Sequence, residues 1–204
     1  MRFTFLDPGP LVDGELRLIE PDARWVDDLL FAQGQPDPPA PGRGRPVADL
    51  PWPRHKILEF LRAAPGGKQT ADPTAGRVPA YHFWMLADPP VGDPPVRIAG
   101  GIGFRVGRTE EIERYSGNIG YHVYPPARGH HFAERASRLL FGLARRHGME
   151  RLWITCNPDN FASRRTCERL GAKLIDVVDI PKDHPFRAKG ETAKCRFLVD
   201  LVSG

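Results

Sequence analysis

The side chains best able to do chemistry fall between Asn118 and Ala172. His122 lies in a short apolar run, Ile119-Gly-Tyr-His-Val-Tyr124, which reads as a strand and which Pro125-Pro126 stops. Imidazole ordinarily titrates close to neutrality, so His122 is a candidate proton acceptor. Arg128-Gly129-His130-His131-Phe132-Ala133 follow and open a helix expected to reach about His147. A helix N-terminus presents unpaired N–H groups and partial positive charge, which suits a phosphate. Gly129 lets backbone approach a ligand closely, and Arg128 adds a planar, charged fork. Farther on, Asn160 can cap a second helix that carries Ser163 and Cys167, a small side chain and a weak thiol donor. Together these point to a phosphate-bearing small molecule and to proton transfer beside it.

The elements that must position these groups can be read from periodicity. In the first helix Phe132, Ala136, Leu139, Leu140, Leu143 and Ala144 recur at helical spacing, and Gly148 stands where a C-terminal cap should. Residues 152–156 form a short buried strand, and Asn157-Pro-Asp-Asn160 turns the chain into the second helix, which ends at Gly171. Strand, helix and strand at this length make a right-handed crossover, so strands 119–124 and 152–156 should run parallel. Upstream, 15–19 reads as a strand, 23–33 and 54–63 as helices, and 81–87 and 96–106 as strands joined by a Pro-rich loop. Residues 34–53, rich in Pro, Gly and Arg, read as an extended loop or lid. Residues 173–178 and 193–202 close the chain as strands on either side of a polar loop, 181–190.

Two of these pieces resemble the core of the GNAT superfamily of N-acetyltransferases. That family carries Gln/Arg-x-x-Gly-x-Gly/Ala at a helix start after a strand, matched here by Arg128-Gly-His-His131-Phe-Ala133. Its later Asn-x-x-Ser/Ala-x-x-x-x-Glu/Lys-x-x-Gly ending is matched by Asn160-Phe-Ala-Ser163-Arg-Arg-Thr-Cys167-Glu168-Arg-Leu-Gly171. The resemblance implies an α/β chain (an α+β mixed sheet): a central, mostly antiparallel sheet with a parallel βαβ core that binds acetyl-CoA. It also implies a single domain over 1–204 with a Pro/Gly-rich loop at about 34–54. The implied activity is transfer of acetyl from acetyl-CoA to a primary amine by direct attack in a ternary complex. Tyr121, Val123, Arg128, Gly129, His130, His131, Phe132, Ala133, Asn160 and Ser163 would hold the co-substrate.

This chain departs from the family at three places. His131 stands where the family has its central glycine, and helical φ/ψ is expected there. Cys167 stands where a Tyr often protonates the departing thiolate, and is the candidate acid on that side. Asn118 stands where a Glu is common, and an amide cannot act as a base. His122 is then the candidate base, with Glu111 and Glu113 able to act through water, and a backbone N–H near Val123 the candidate donor to the thioester carbonyl.

Composition bounds the rest. The chain has net charge +4 and pI near 9.1, suited to a polyanionic co-substrate and too mild to demand nucleic acid. Three cysteines, with neither an apolar leader nor a membrane-length run, fit a reduced, cytoplasmic protein without disulfides. His130 and Glu134 have ligand spacing but no obvious companions, so no metal is expected. The acceptor is a small-molecule or peptide amine, and a closing strand could pair across a homodimer. Two other readings stay open: a non-catalytic acyl-CoA sensor, and a site for another phosphorylated ligand, for which the usual Gly-rich patterns are missing.

Overall fold

The computed structural model describes residues 3–37 and 51–202. Most of the lid expected over 34–53 therefore lies outside the described residues. Its far end is held by Gln33, whose amide bonds both the N–H and the C=O of Trp52 (3.1 and 2.6 Å).

Among the described residues one mixed sheet of nine strands organises the chain. In chain order its strands are β1 (Val12–Asp13), β2 (Leu16–Ile19), β3 (Lys68–Gln69), β4 (Ala80–Val91) and β5 (Val96–Arg105). Then come β6 (Ile119–Val123), β7 (Arg151–Cys156), β8 (Lys173–Asp179) and β9 (Ala193–Asp200). They lie in the order β1-β2-β4-β5-β6-β7-β9-β8, with β3 paired to β4. Every pairing is antiparallel except β6 with β7, the parallel pair expected from the crossover. The helices are α1 (Val26–Gln33), α2 (Arg54–Ala63), α3 (Phe132–Arg146), α4 (Phe161–Arg169) and the short α5 (Pro185–Ala188).

Strand alternation divides the side chains between two layers. Tyr81, Phe83, Ile102, Phe104, Ile119 and Tyr121 share one face by register. They meet α3 and α4 there: Tyr81 Oη pairs with His147 at the end of α3 (2.8 Å), and Tyr121 Oη with Ser163 of α4 (3.0 Å). Phe132, Ala136, Leu140 and Leu143 bury the inner stripe of α3 against this face. His82, Trp84, Gly101, Gly103, Gly120 and His122 share the opposite face, toward α1 and α2, where Phe60 packs edge-on against His82 and Trp25 against Arg97.

Three expectations are corrected. Residues 128–131 do not belong to the helix, which starts at Phe132. The Pro-rich loop is shorter than expected, because β4 continues through Pro89-Pro90 to Val91. Those prolines fit because β2 pairs with β4 only as far as Ala87, so the missing N–H groups break no ladder bond on that side. The polar loop before β9 contains α5.

Candidate functional site

The parallel pair is the geometric centre of the site. β6 and β7 share a single register, Ile119 opposite Ile154, and pair no further although both strands continue. N–H groups alternate sides along a strand, and the Tyr124 N–H bonds Ala99 O of β5 (2.8 Å). The Val123 N–H therefore points the other way, into the gap where β6 and β7 have parted.

Below this gap the α3 N-terminus is open. His131 is its N-cap residue and gives no side-chain cap, so the first-turn N–H groups keep their donors. Its φ/ψ of 57°/24° is left-handed, and among the described residues it is the one non-glycine with positive φ. The expected helical conformation is thus corrected. A glycine-type backbone is retained at the family's glycine position, with an imidazole attached. That imidazole is turned toward α4, where Nδ1 meets Arg169 Nη1 (2.7 Å). Gly129, at φ 93°, has open space where a side chain would project. Arg128 donates Nε to Val123 O (3.3 Å) and Nη2 to Asp37 (2.8 Å), fastening the turn to the chain beyond α1. His130 is exposed and stacks on Phe132. No group of side chains suited to a metal occurs among the described residues.

On the α4 side, Asn160 Oδ1 caps the helix by accepting from Ser163 N (3.0 Å), as expected. The Tyr121 hydroxyl between β6 and α4 stays protonated, its pKa pushed well up by burial. Cys167 is fully buried beneath it, and burial raises its thiol to about 12. Cys156 and Cys195 are buried and free as well.

On the α1–α2 side, burial lowers His122 to about 4, so it is neutral at pH 7 and a weaker base than an ordinary histidine. Its ring takes the space that a side chain on Gly101 would fill, with Cε1 only 2.8 Å from such a Cβ. Glu111 is bonded to His184 (3.0 Å) and Glu113 to Arg108 (2.9 Å). Asn118 proves to be a clamp at the root of the gap. It is 1% exposed, donates to Arg105 O and Gly107 O (3.1 and 3.0 Å), and accepts from Trp153 N (2.9 Å). The amide thus ties β5, β6 and β7 where the last two begin to part. A surface cavity of about 490 Å³ lies elsewhere, between Arg108 and Arg196, and its arginines are already ion-paired.

Sequence reasoning missed His82 and Arg105, which share the sheet face of His122. The signal present was glycine inside strands, at 101, 103 and 120, where a close approach is the usual reason.

The sequence model of the acetyltransferase (GNAT) domain matches residues 27–173. The chain belongs to the GNAT family. It is an acyltransferase whose co-substrate is acetyl-CoA. Solved structures with the same fold include the microcin C7 self-immunity acetyltransferase MccE in complex with acetyl-CoA and AMP. It is 16% identical, with TM-score 0.63 over 92% of this chain and 93% of that one. A GCN5-related N-acetyltransferase from Brucella melitensis is 18% identical, with TM-score 0.64 over 97% and 80%. The ribosomal L7/L12 alpha-N-protein acetyltransferase RimL in complex with coenzyme A is 15% identical, with TM-score 0.61 over 93% and 96%. No match was found among curated proteins.

Proposed function

We propose that this acetyltransferase moves acetyl from acetyl-CoA to a primary amine by direct attack within a ternary complex. The observation that carries the reading is the single-register β6–β7 pair, which opens a passage from the α3–α4 face of the sheet to the α1–α2 face. The α3 N-terminus and Gly129 hold the pyrophosphate, with Arg128, His130, His131, Phe132 and Ala133 around it, while Tyr121, Asn160 and Ser163 flank the pantetheine arm. The Val123 N–H bonds the thioester oxygen as negative charge develops there. From the other face the neutral amine forms the new C–N bond as the C–S bond breaks. His122 accepts the amine proton, CoA leaves as a thiolate, and Cys167, with Tyr121 beside it, donates a hydrogen bond on the thiol side, burial having made it too weak an acid to give up its proton.

Thermal-shift titration with acetyl-CoA, against ATP and NAD controls, tests binding. Acetyl-CoA at about a hundred times its Kd adds about 2.7 kcal/mol of stability. Release of free CoA across a panel of amines then tests transfer. Binding without amine-dependent release across the panel would sink the transfer reading.

A homodimer in the cytoplasm fits the remaining features. No helix among the described residues is long and apolar enough to cross a membrane, and the three thiols are free. β8 is an edge strand with Leu174, Ile175 and Val177 exposed. Antiparallel pairing of two copies about Asp176 would set Lys173 of each against Asp179 of the other. Light scattering on a sizing column checks this, and a monomer at high concentration removes it.

A further inference from the structure

On the sheet face toward α1 and α2, register lays out three short rows. Ala80, Arg105 and Asn118 form the first, His82, Gly103 and Gly120 the second, and Trp84, Gly101 and His122 the third. The middle row has no side chain on β5 or β6. It is a slot in the interior of a nine-stranded sheet, yet Gly103 and Gly120 are only partly buried. Arg105 stands at one end, leaning in until Nη1 is 3.5 Å from where a Gly120 side chain would begin. His122 closes the other end, lying over Gly101. His82 walls the β4 side, held by Gln69 (3.0 Å) and Phe60, and the fourth side faces β7, where the strands part.

Arg105 is the distinctive group. It brings five N–H donors, and the described residues use only Nη1, on the carbonyls of Ser116 and Gly117 (3.2 Å each). It makes no ion pair with any described Asp or Glu, and its other nitrogens are not among the buried atoms that lack a partner, so they reach accessible space. The nearest acid acting on it is Glu111, which is engaged by His184. Beside it, His82 and His122 are both uncharged at neutral pH, lowered to about 4 by burial. A half-buried cation with spare planar donors at the end of an uncharged slot is a carboxylate site.

We propose that the acceptor carries a carboxylate as well as its amine, the carboxylate bound by Arg105 while the amine is held at His122. This rests on the acetyl-transfer reading above. The two ends are two strand repeats apart, about 14 Å between backbones, and the Arg105 side chain shortens that gap by reaching to Gly120. A free amino acid and a peptide beginning with Asp or Glu both present this chemistry.

The test is the rate of CoA release with common amino acids, each beside its amide, and with dipeptides beginning Asp or Glu beside those beginning Asn or Gln. Wild type should prefer the acid over its matched amide by about tenfold or more in kcat/KM, and the arm showing the preference identifies the source. R105Q should bring that ratio close to one, and R105K, which keeps the charge and guards against misfolding, should retain part of it. Equal rates for acid and amide would overturn the carboxylate while leaving acetyl transfer standing, as would a ratio that R105Q does not change. If no amine reacts, the probe is N-acetyl amino acids in thermal shift. Stabilisation of wild type but not of R105Q supports the assignment, and equal or absent shifts overturn it.

Discussion

His131→Gly and His131→Ala, compared with each other, test the most unusual backbone position in the site. Both variants lose the imidazole and its contact with Arg169, so that contact cancels from the difference. What remains is the backbone. At φ 57° an L-residue costs about 1–2 kcal/mol and glycine almost nothing. Glycine gives back about 0.5–1 kcal/mol through the greater freedom of its unfolded chain. The Gly variant should therefore be more stable than the Ala variant by about 0.5–1 kcal/mol. Had the residue been helical, the sign would reverse, with Ala better by about 0.5–1 kcal/mol. Reversible urea unfolding reads this as a difference in midpoint at constant m-value, and the corresponding Tm difference is about 1–4 °C for a chain of this size. An Ala variant more stable than the Gly variant would refute the left-handed assignment, and with it the account of how this chain presents the α3 N-terminus without the family's glycine.

Two further predictions concern stability. Burial holds His82 and His122 at about 4, against 6.5 for an exposed imidazole. Between those values the unfolded chain binds the protons that the folded one refuses. Their contribution is complete above pH 6.5 and is lost as pH falls toward 4, at up to about 1.4 kcal/mol per pH unit for each histidine. Urea midpoints from pH 7 to 4.5 should show this slope, reduced in H122Q by the share of one histidine while His82 and the likewise lowered His147 keep theirs, and an unaltered slope in that variant would count against the burial. Asn118→Ala leaves Trp153 N and two carbonyls without their partner and should cost about 3 kcal/mol. A loss under about 1 kcal/mol would mean that the clamp is not needed.

The crossover was the legible part of this chain, because it is written in local patterns. The apolar stripe from Phe132 to Ala144, the Gly148 cap and the Asn160 cap each act within one element, and each was found where expected. The α3 start was misread because Gly129 and His131 adopt conformations imposed by the turn from β6, which composition does not encode. Asn118 looked like a lost base. Its three bonds reach residues 11 to 35 positions away, so its role exists only once β5, β6 and β7 are side by side. The slot was invisible for the same reason. Alternation says that His82 and Tyr81 face opposite ways, but only the register through β5 puts His82, Arg105 and His122 around two bare glycines.

The two faces of the sheet impose different demands on a proton, and this leads to the last prediction. Groups on the α3–α4 face, Tyr121 and Cys167, are kept protonated by burial, so they can donate hydrogen bonds to a departing thiolate but are weak acids. On the opposite face burial keeps His122 unprotonated, so it is always ready to accept, but at about 4 it is too weak to deprotonate an ammonium ion of pKa near 9 on its own. In the proposed reaction the amine must therefore arrive already neutral, with His122 receiving its last proton as the C–N bond forms. It follows that kcat/KM should rise with pH at a slope near one through pH 6 and 7, levelling at the acceptor's own pKa and not near 6.5. Substituting a less basic acceptor should move the plateau downward with its pKa. H122A should lower the whole curve by at least about tenfold without shifting its bend, while acetyl-CoA affinity stays as it was. A bend at 6.5 that disappears in H122A would show instead an ordinary, solvent-reached histidine acting as the base. The burial that Gly101 makes possible, by leaving the ring the space a side chain would take, would then have no part in the chemistry.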